Sequence, residues 1–162
     1  MAYFLIAFVA LGVMLSLTST ERLMVERAHH SAVITPGTLE GGQFARFAFA
    51  MEQYLEANPT VSGTLSPQLA AGQFTAAFLS NVTAWVSPPG TVPRELVCTG
   101  TLGPGALQAA LQYSEGDAAF GTPTTGGSHW FSATGPTGSA AQPLPNPAPS
   151  ASTIVFVVDL QP

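Results

Sequence analysis

Residues 44–59 read FARFAFAMEQYLEANP, and this stretch decides the fold because its apolar residues recur with the period of an amphipathic α-helix. Polar side chains occupy the opposite side, and Asn58-Pro59 is a typical helix stop, since a residue before proline disfavours helical backbone. A four-turn helix with one apolar face needs a second layer to cover that face. The apolar positions are Phe44, Phe47, Ala48, Met51, Tyr54 and Leu55, and the polar positions are Arg46, Glu52, Gln53 and Glu56.

The second layer is predicted to be a sheet. TIVFVVDL at residues 153–160 carries five consecutive apolar residues, which is typical of a strand buried on both faces. In RELVCTG, alternation places Leu96 and Cys98 on one face and Val97 on the other. TLGPGALQAALQYS at 101–114 predicts a short helix. The shorter strand candidates are NVTAWVS (81–87), RELVCTG (94–100), DAAFGTP (117–123) and HWFSATG (129–135).

Three segments are predicted to be irregular. ITPGTLEGGQ at 34–43 is a Gly-containing loop, and TVSGTLSPQLAAGQF at 60–74 is a connector in which Ser66-Pro67 favours a single helical turn. The Pro-rich loop at 136–149 is predicted to be extended and exposed, because proline removes backbone donors and favours extended conformations.

The first twenty residues, MAYFLIAFVALGVMLSLTST, contain no charge between Ala2 and Thr20. Nineteen such residues reach about the length that a membrane-spanning helix needs. A signal peptide would have a basic start and a cleavage motif, and a type IV pilin would have a charged leader and a glutamate inside the apolar run. The sequence lacks these features, although the small residues of LTST leave cleavage open. We interpret residues 1–20 as an uncleaved transmembrane anchor.

Together these elements predict an α+β fold, with an N-terminal single transmembrane helix followed by a small domain of helices packed on a mostly antiparallel sheet. The predicted parts are the anchor (1–20), a stalk and linker (21–36) and the α+β domain (37–162). Membrane orientation is open at this point. Arg22 and Arg27 follow the span and favour a cytoplasmic domain, whereas the absence of lysine and the abundance of Gly and Pro resemble exported proteins.

Composition and motifs argue against catalysis and against nucleic-acid binding. Charged residues make up 8% of the chain and the net charge is -5, so no basic patch for nucleic acid is expected. We find no phosphate-binding loop, dinucleotide fingerprint, Cys pair or His-Glu-x-x-His motif. The neighbours Ser128 and His129 are predicted to point to opposite sides of a hairpin, with Trp130 packed below. His29 and His30 point about 100° apart on a helix and are read as solvated. Cys98 is read as a core residue. We therefore predict no enzyme, and no catalytic, cofactor or metal site.

One stretch, FARFAFAMEQYLEANPTVSGTLSPQL at 44–69, resembles the small PilM proteins of conjugative type IVb (thin) pilus systems. PLPNPAPSASTIV at 143–155 approximates the late proline motif of that family but replaces its second Ile-Pro with Pro147-Ala148-Pro149. The matching positions are Tyr54, Ala57, Asn58 and Pro59 at the helix end, Gly63, Ser66 and Leu69 in the next segment, and Trp85 in a strand.

The resemblance implies a single-pass protein of the bacterial inner membrane with a periplasmic domain, acting as a non-catalytic assembly or pilus-base component. Its implied partners are membrane lipid through the N-terminal helix, other pilus-assembly proteins or pilins, and further copies of itself. The alternatives are a minor-pilin-like subunit of the filament and another kind of envelope domain, including an enzyme. Candidate contact surfaces are the Pro-rich loop and whatever face of the 43–57 helix the sheet leaves bare.

Overall fold

The computed structural model describes residues 36–70, 72–136 and 139–160. The predicted anchor and almost all of the predicted stalk lie outside the described residues, and none of the described helices has the length and apolar content needed to cross a bilayer. The helices are α1 (Pro36–Ala57), α2 (Ala76–Leu79) and α3 (Ala106–Tyr113), with a 3-10 helix at Pro67–Ala70. The strands are β1 (Gly63–Leu65), β2 (Val82–Val86), β3 (Arg94–Gly100), β4 (Phe120–Pro123), β5 (His129–Ser132), β6 (Gln142–Pro143) and β7 (Ile154–Leu160).

The seven strands form one sheet in the order β1-β2-β3-β7-β4-β5-β6, and every described pair is antiparallel. The α+β class with an antiparallel sheet is therefore confirmed for this part of the chain. β7, the last strand in sequence, lies between β3 and β4. Ile154, Val155 and Phe156 are all buried there. The continuous apolar run is thus explained by a central position with cover on both faces.

One face of the sheet, here called the helix face, carries the main core. The predicted apolar face of α1 packs onto it, and Phe44, Phe47, Met51 and Leu55 are at most 1% exposed. The ring centroids of Phe44 and Phe120 lie 6.3 Å apart in an edge-to-face arrangement. Each large apolar side chain buried in this way stabilises the fold by about 1.5–3 kcal/mol.

The predicted loop at 34–43 is wrong over most of its length, because α1 begins at Pro36. Glycines in this region indicated a loop, but they serve close packing instead. Gly37 lies against the carbonyl of Pro104, and Gly41 lies against Ala106 at the start of α3. The carboxylate of Glu40 accepts a hydrogen bond from the Gly103 amide at 2.8 Å. Tertiary contact between α1 and α3 therefore outweighs the weak helix propensity of glycine.

The Pro-rich loop packs on the opposite face of the sheet, here called the outer face. The prediction that this loop is exposed is therefore only partly correct. Most of its described residues are exposed, as predicted, but Leu144 and Ala148 are buried against Val97, Trp130 and Val155. The Leu144 amide donates to the carbonyl of Ser128 and the Ala148 amide to that of Gly127. The loop therefore covers part of the outer face and contributes strand β6. Its high proline content had indicated an exposed segment instead.

The predicted connector at 60–74 contains the helical turn expected after Ser66, but it also contains β1, a strand that was not predicted. Three residues are too few for a periodic pattern to reveal a strand. Gly63 begins β1 with a φ of 83°, a left-handed conformation that favours glycine. This gives a backbone reason for glycine at one of the positions on which the family resemblance rests.

Candidate functional site

A cleft of about 430 Å³ opens at the carboxyl end of α1, between that helix and the last residues of β7. Its apolar part consists of Leu55, Pro59 and Leu160, and its polar part combines three carboxylates with one guanidinium. The polar residues are Glu52, Glu56, Arg94 and Asp159. The described residues that line this helix-end cleft include no hydroxyl, thiol or imidazole group.

Hydrogen bonds of Asn58 fix the end of α1, which forms one wall of the cleft. The side-chain amide of Asn58 donates to the carbonyl of Tyr54 at 2.8 Å, and the Asn58 backbone amide bonds to Leu55. These bonds satisfy carbonyls at the helix end, and Pro59 prevents the helix from continuing. The predicted stop at Asn58-Pro59 is confirmed. A guanidinium nitrogen of Arg94 then donates to the carbonyl of Val61 at 2.8 Å, which ties the following loop to β3.

The charge around the cleft is strongly unbalanced. Residues 36–160 contain seven carboxylates but only two arginines, Arg46 and Arg94. Burial, followed by the neighbouring charges of Glu56 and Asp117, raises the pKa of Glu52 above its ordinary value. The cleft is therefore an acidic surface with an apolar floor, and such a surface favours a partner with basic and apolar side chains.

One further carboxylate, that of Glu95, lies beside Asp159 at the same end of the sheet. Glu95 of β3 and Asp159 of β7 are direct cross-strand partners. Burial, and next the charge of Asp159, raise the pKa of Glu95. Asp159 also lines the helix-end cleft, so the Glu95–Asp159 pair adjoins the carboxylates of that cleft. This clustering could not be predicted, because the residues are far apart along the chain and no local signal in the sequence shows which strands pair.

The Ser128–His129 pair differs in part from the prediction. Ser128 lies in the hairpin just before β5, as predicted, but its Oγ is 3.0 Å from Nδ1 of His129. The expectation that these side chains point apart is therefore wrong. Both side chains are exposed, and the contact joins sequence neighbours on a hairpin. Trp130 is buried beneath, as predicted, at 4% exposure.

Cys98 is fully buried in the helix-face core, which confirms its predicted place. Burial, together with the charge of Glu52, raises the pKa of its thiol far above the ordinary range. A thiol held in this protonated state is a poor nucleophile and a poor metal ligand. Within the ranges that the structure describes, no group of three or more His, Cys, Asp or Glu side chains is arranged to hold a metal ion. His29 and His30 lie outside those ranges.

The comparisons with known proteins give one match. No protein-family model matches the chain, and no curated protein matches it. Among solved structures, the chain is similar to the crystal structure of a protein assigned as PilM from Escherichia coli B7A. The TM-score is 0.43 and the sequence identity 17%, over 75% of this chain and 90% of that chain.

Proposed function

We propose that this chain is a membrane-anchored, non-catalytic component of a type IVb pilus or conjugation apparatus, working in pilus assembly or at the pilus base. The observation that carries the proposal is the resemblance of residues 44–69 to the small PilM proteins. The structure supports it because two of the motif positions have defined structural roles. Asn58 ends helix α1, and Gly63 has a left-handed backbone conformation that favours glycine.

The chemistry of the described residues is compatible with a protein that works by contact. The only cysteine is buried, the Ser128–His129 pair lies on an exposed hairpin, and the cleft at the end of α1 combines carboxylates with an apolar floor. Confinement to a membrane raises the effective concentration of partners, so weak contacts suffice. We propose pilus-assembly proteins, pilins or further copies of the chain as partners.

The anchor is proposed from the uncharged run between Ala2 and Thr20. The mature protein should retain this run and fractionate with inner membranes. Replacing Val9 and Gly12 with arginine should block insertion, because each central arginine costs ~2.5–3.5 kcal/mol. An N-terminus near Ser19 or Thr20 on protein sequencing would instead identify a cleaved signal. A phosphatase fused at Pro162 should be active if the domain is periplasmic; labelling of this end only from the cytoplasmic side would reverse the orientation.

The helix-end cleft gives a sharper test of the contact role. The double substitution Glu52→Arg and Glu56→Arg should abolish piliation while protein level and membrane localisation stay normal. Gln53→Arg adds a positive charge at an exposed position on the same helix, and it serves as the control. Normal piliation in the double variant would remove this cleft as the contact surface.

The composition of the filament separates the proposal from the minor-pilin alternative. Intact pili should be isolated and probed for this chain. An assembly component remains with the membrane, whereas a pilin-like subunit co-purifies along the filament. Normal piliation and conjugative transfer in a strain that lacks the protein would reject both roles.

A further inference from the structure

A second groove, of about 520 Å³, lies on the outer face of the sheet beside the end of β7. Its lining includes the apolar residues Trp130, Val157 and Ala119 and the polar residues Ser132 and Gln142. The Pro-rich loop packs over Trp130 and holds it in place, so the part of the ring that lines the groove is a fixed apolar surface. A volume of this size is within the range of ~300–1,000 Å³ that binding sites commonly have.

One end of this outer groove is acidic. Glu95 and Asp159 both line it, and they face each other directly across β3 and β7. Like charges in direct cross-strand register are destabilising. The raised pKa of Glu95 reflects burial and this neighbouring charge. A cation placed between the two carboxylates would relieve their repulsion.

At Asp159, beside the groove, β7 extends beyond its described pairing with β4. The Val157 amide donates to the carbonyl of Ala119, and the last register pair between β4 and β7 is Phe120 with Phe156. Because backbone direction alternates along a strand, the amide and carbonyl of Asp159 point to the same side as those of Val157. In the described part of the chain, β4 does not extend far enough to pair with Asp159. An extended segment can add hydrogen bonds there.

We propose that the outer groove docks an extended segment of a second protein, with an arginine or lysine between Glu95 and Asp159 and aliphatic side chains over Trp130 and Val157. A further copy of the domain is a poor source of the cation. It has no lysine, Arg94 already bonds to Val61, and Arg46 lies over the Phe74 ring on helix α1 rather than on an extended segment. The inference goes beyond the proposed pilus role and does not depend on it.

The test uses the full chain in detergent micelles as bait for a displayed library of random nine-residue peptides. Enriched peptides should combine arginine or lysine with aliphatic residues at alternating positions. A synthetic copy should bind the Glu95→Gln, Asp159→Asn double variant about fivefold more weakly, since an exposed ion pair contributes up to ~1 kcal/mol. Added salt should weaken binding to the unaltered chain more than binding to the variant.

Two matched controls assign the effect to the groove. Glu56→Gln with Glu115→Gln changes the net charge equally but leaves the groove lining intact, and it should bind normally. Ala118→Trp should block the groove, whereas Ala77→Trp adds the same bulk at an exposed position of α2. Thermal unfolding of each variant checks that it is folded. The proposal is overturned if no basic-aliphatic peptide is enriched, if both charge variants weaken binding equally, or if Ala118→Trp binds normally.

Discussion

Gly41 of α1 lies so close to Ala106 of α3 that a Cβ atom added to Gly41 would overlap the Ala106 carbonyl oxygen. Gly42, the next residue, has no heavy atom within 4 Å of the corresponding Cβ position. Two adjacent glycines in one helix therefore have different roles. The first permits two backbones to approach, and the second is merely tolerated.

This difference gives a matched pair of substitutions. Gly41→Ala should lower the free energy of unfolding by about 1–3 kcal/mol, because the added methyl group separates α1 from α3. Gly42→Ala should raise it by about 0.5–1 kcal/mol, because alanine loses less conformational entropy in a helix. Urea unfolding of the full chain in detergent, followed by far-ultraviolet circular dichroism, measures both. Equal effects of the two substitutions would show that α1 and α3 do not cross at Gly41.

The carboxylate of Glu95 should make stability depend on pH. Its pKa in the folded chain is raised from the ordinary value of 4.5, so the folded state binds the proton more tightly than the unfolded state. Stability from this group is fully present below pH 4.5 and decreases as the pH rises through the folded-state pKa. Glu95→Gln should therefore stabilise the protein at pH 7 and lose that advantage below pH 4.5. Melting temperatures across this range, with exposed Glu115→Gln as control, provide the measurement; an advantage that persists at low pH would contradict this origin.

Leu144 should stabilise the fold despite its place in the Pro-rich loop. Leu144→Ala removes a buried side chain from the outer face, and we expect a loss of about 2 kcal/mol or more. Ser150→Ala, at an exposed nearby position, should change stability by less than about 0.5 kcal/mol. Deleting residues 138–148 should be more damaging than either, since it would uncover Trp130. If Leu144→Ala behaves like Ser150→Ala in urea unfolding, the loop is a passive connection.

The thiol of Cys98 should report global unfolding. It is the only thiol in the chain, it is buried in the core, and burial raises its pKa, so almost none is present as the reactive thiolate. A maleimide reagent should label the native full chain very slowly and the urea-unfolded chain at the rate of a free cysteine. Mass spectrometry measures the labelled fraction. Rapid native labelling at neutral pH would mean that the core around Cys98 opens locally.

The sequence by itself determined those features that depend on local periodicity. The apolar face of α1 follows from residues 3 and 4 apart in a helix, the burial of β7 from an unbroken apolar run, and the opposite faces of Val97 and Cys98 from strand alternation. The helix end at Asn58 follows from the geometry that proline imposes on its neighbour. Each of these depends on residues within about one element length of one another.

Only the tertiary structure decided the features that depend on distant residues. From the sequence alone, Gly37 and Gly41 are typical loop residues, and Leu144 is expected to be exposed. In the structure, the start of α3 packs against the two glycines and Leu144 packs on Trp130. The acidic end of the domain exists because β7 pairs with β3, which brings Asp159 opposite Glu95. Strand order and register are set by the total burial of both sheet faces, and no short window of sequence contains that quantity.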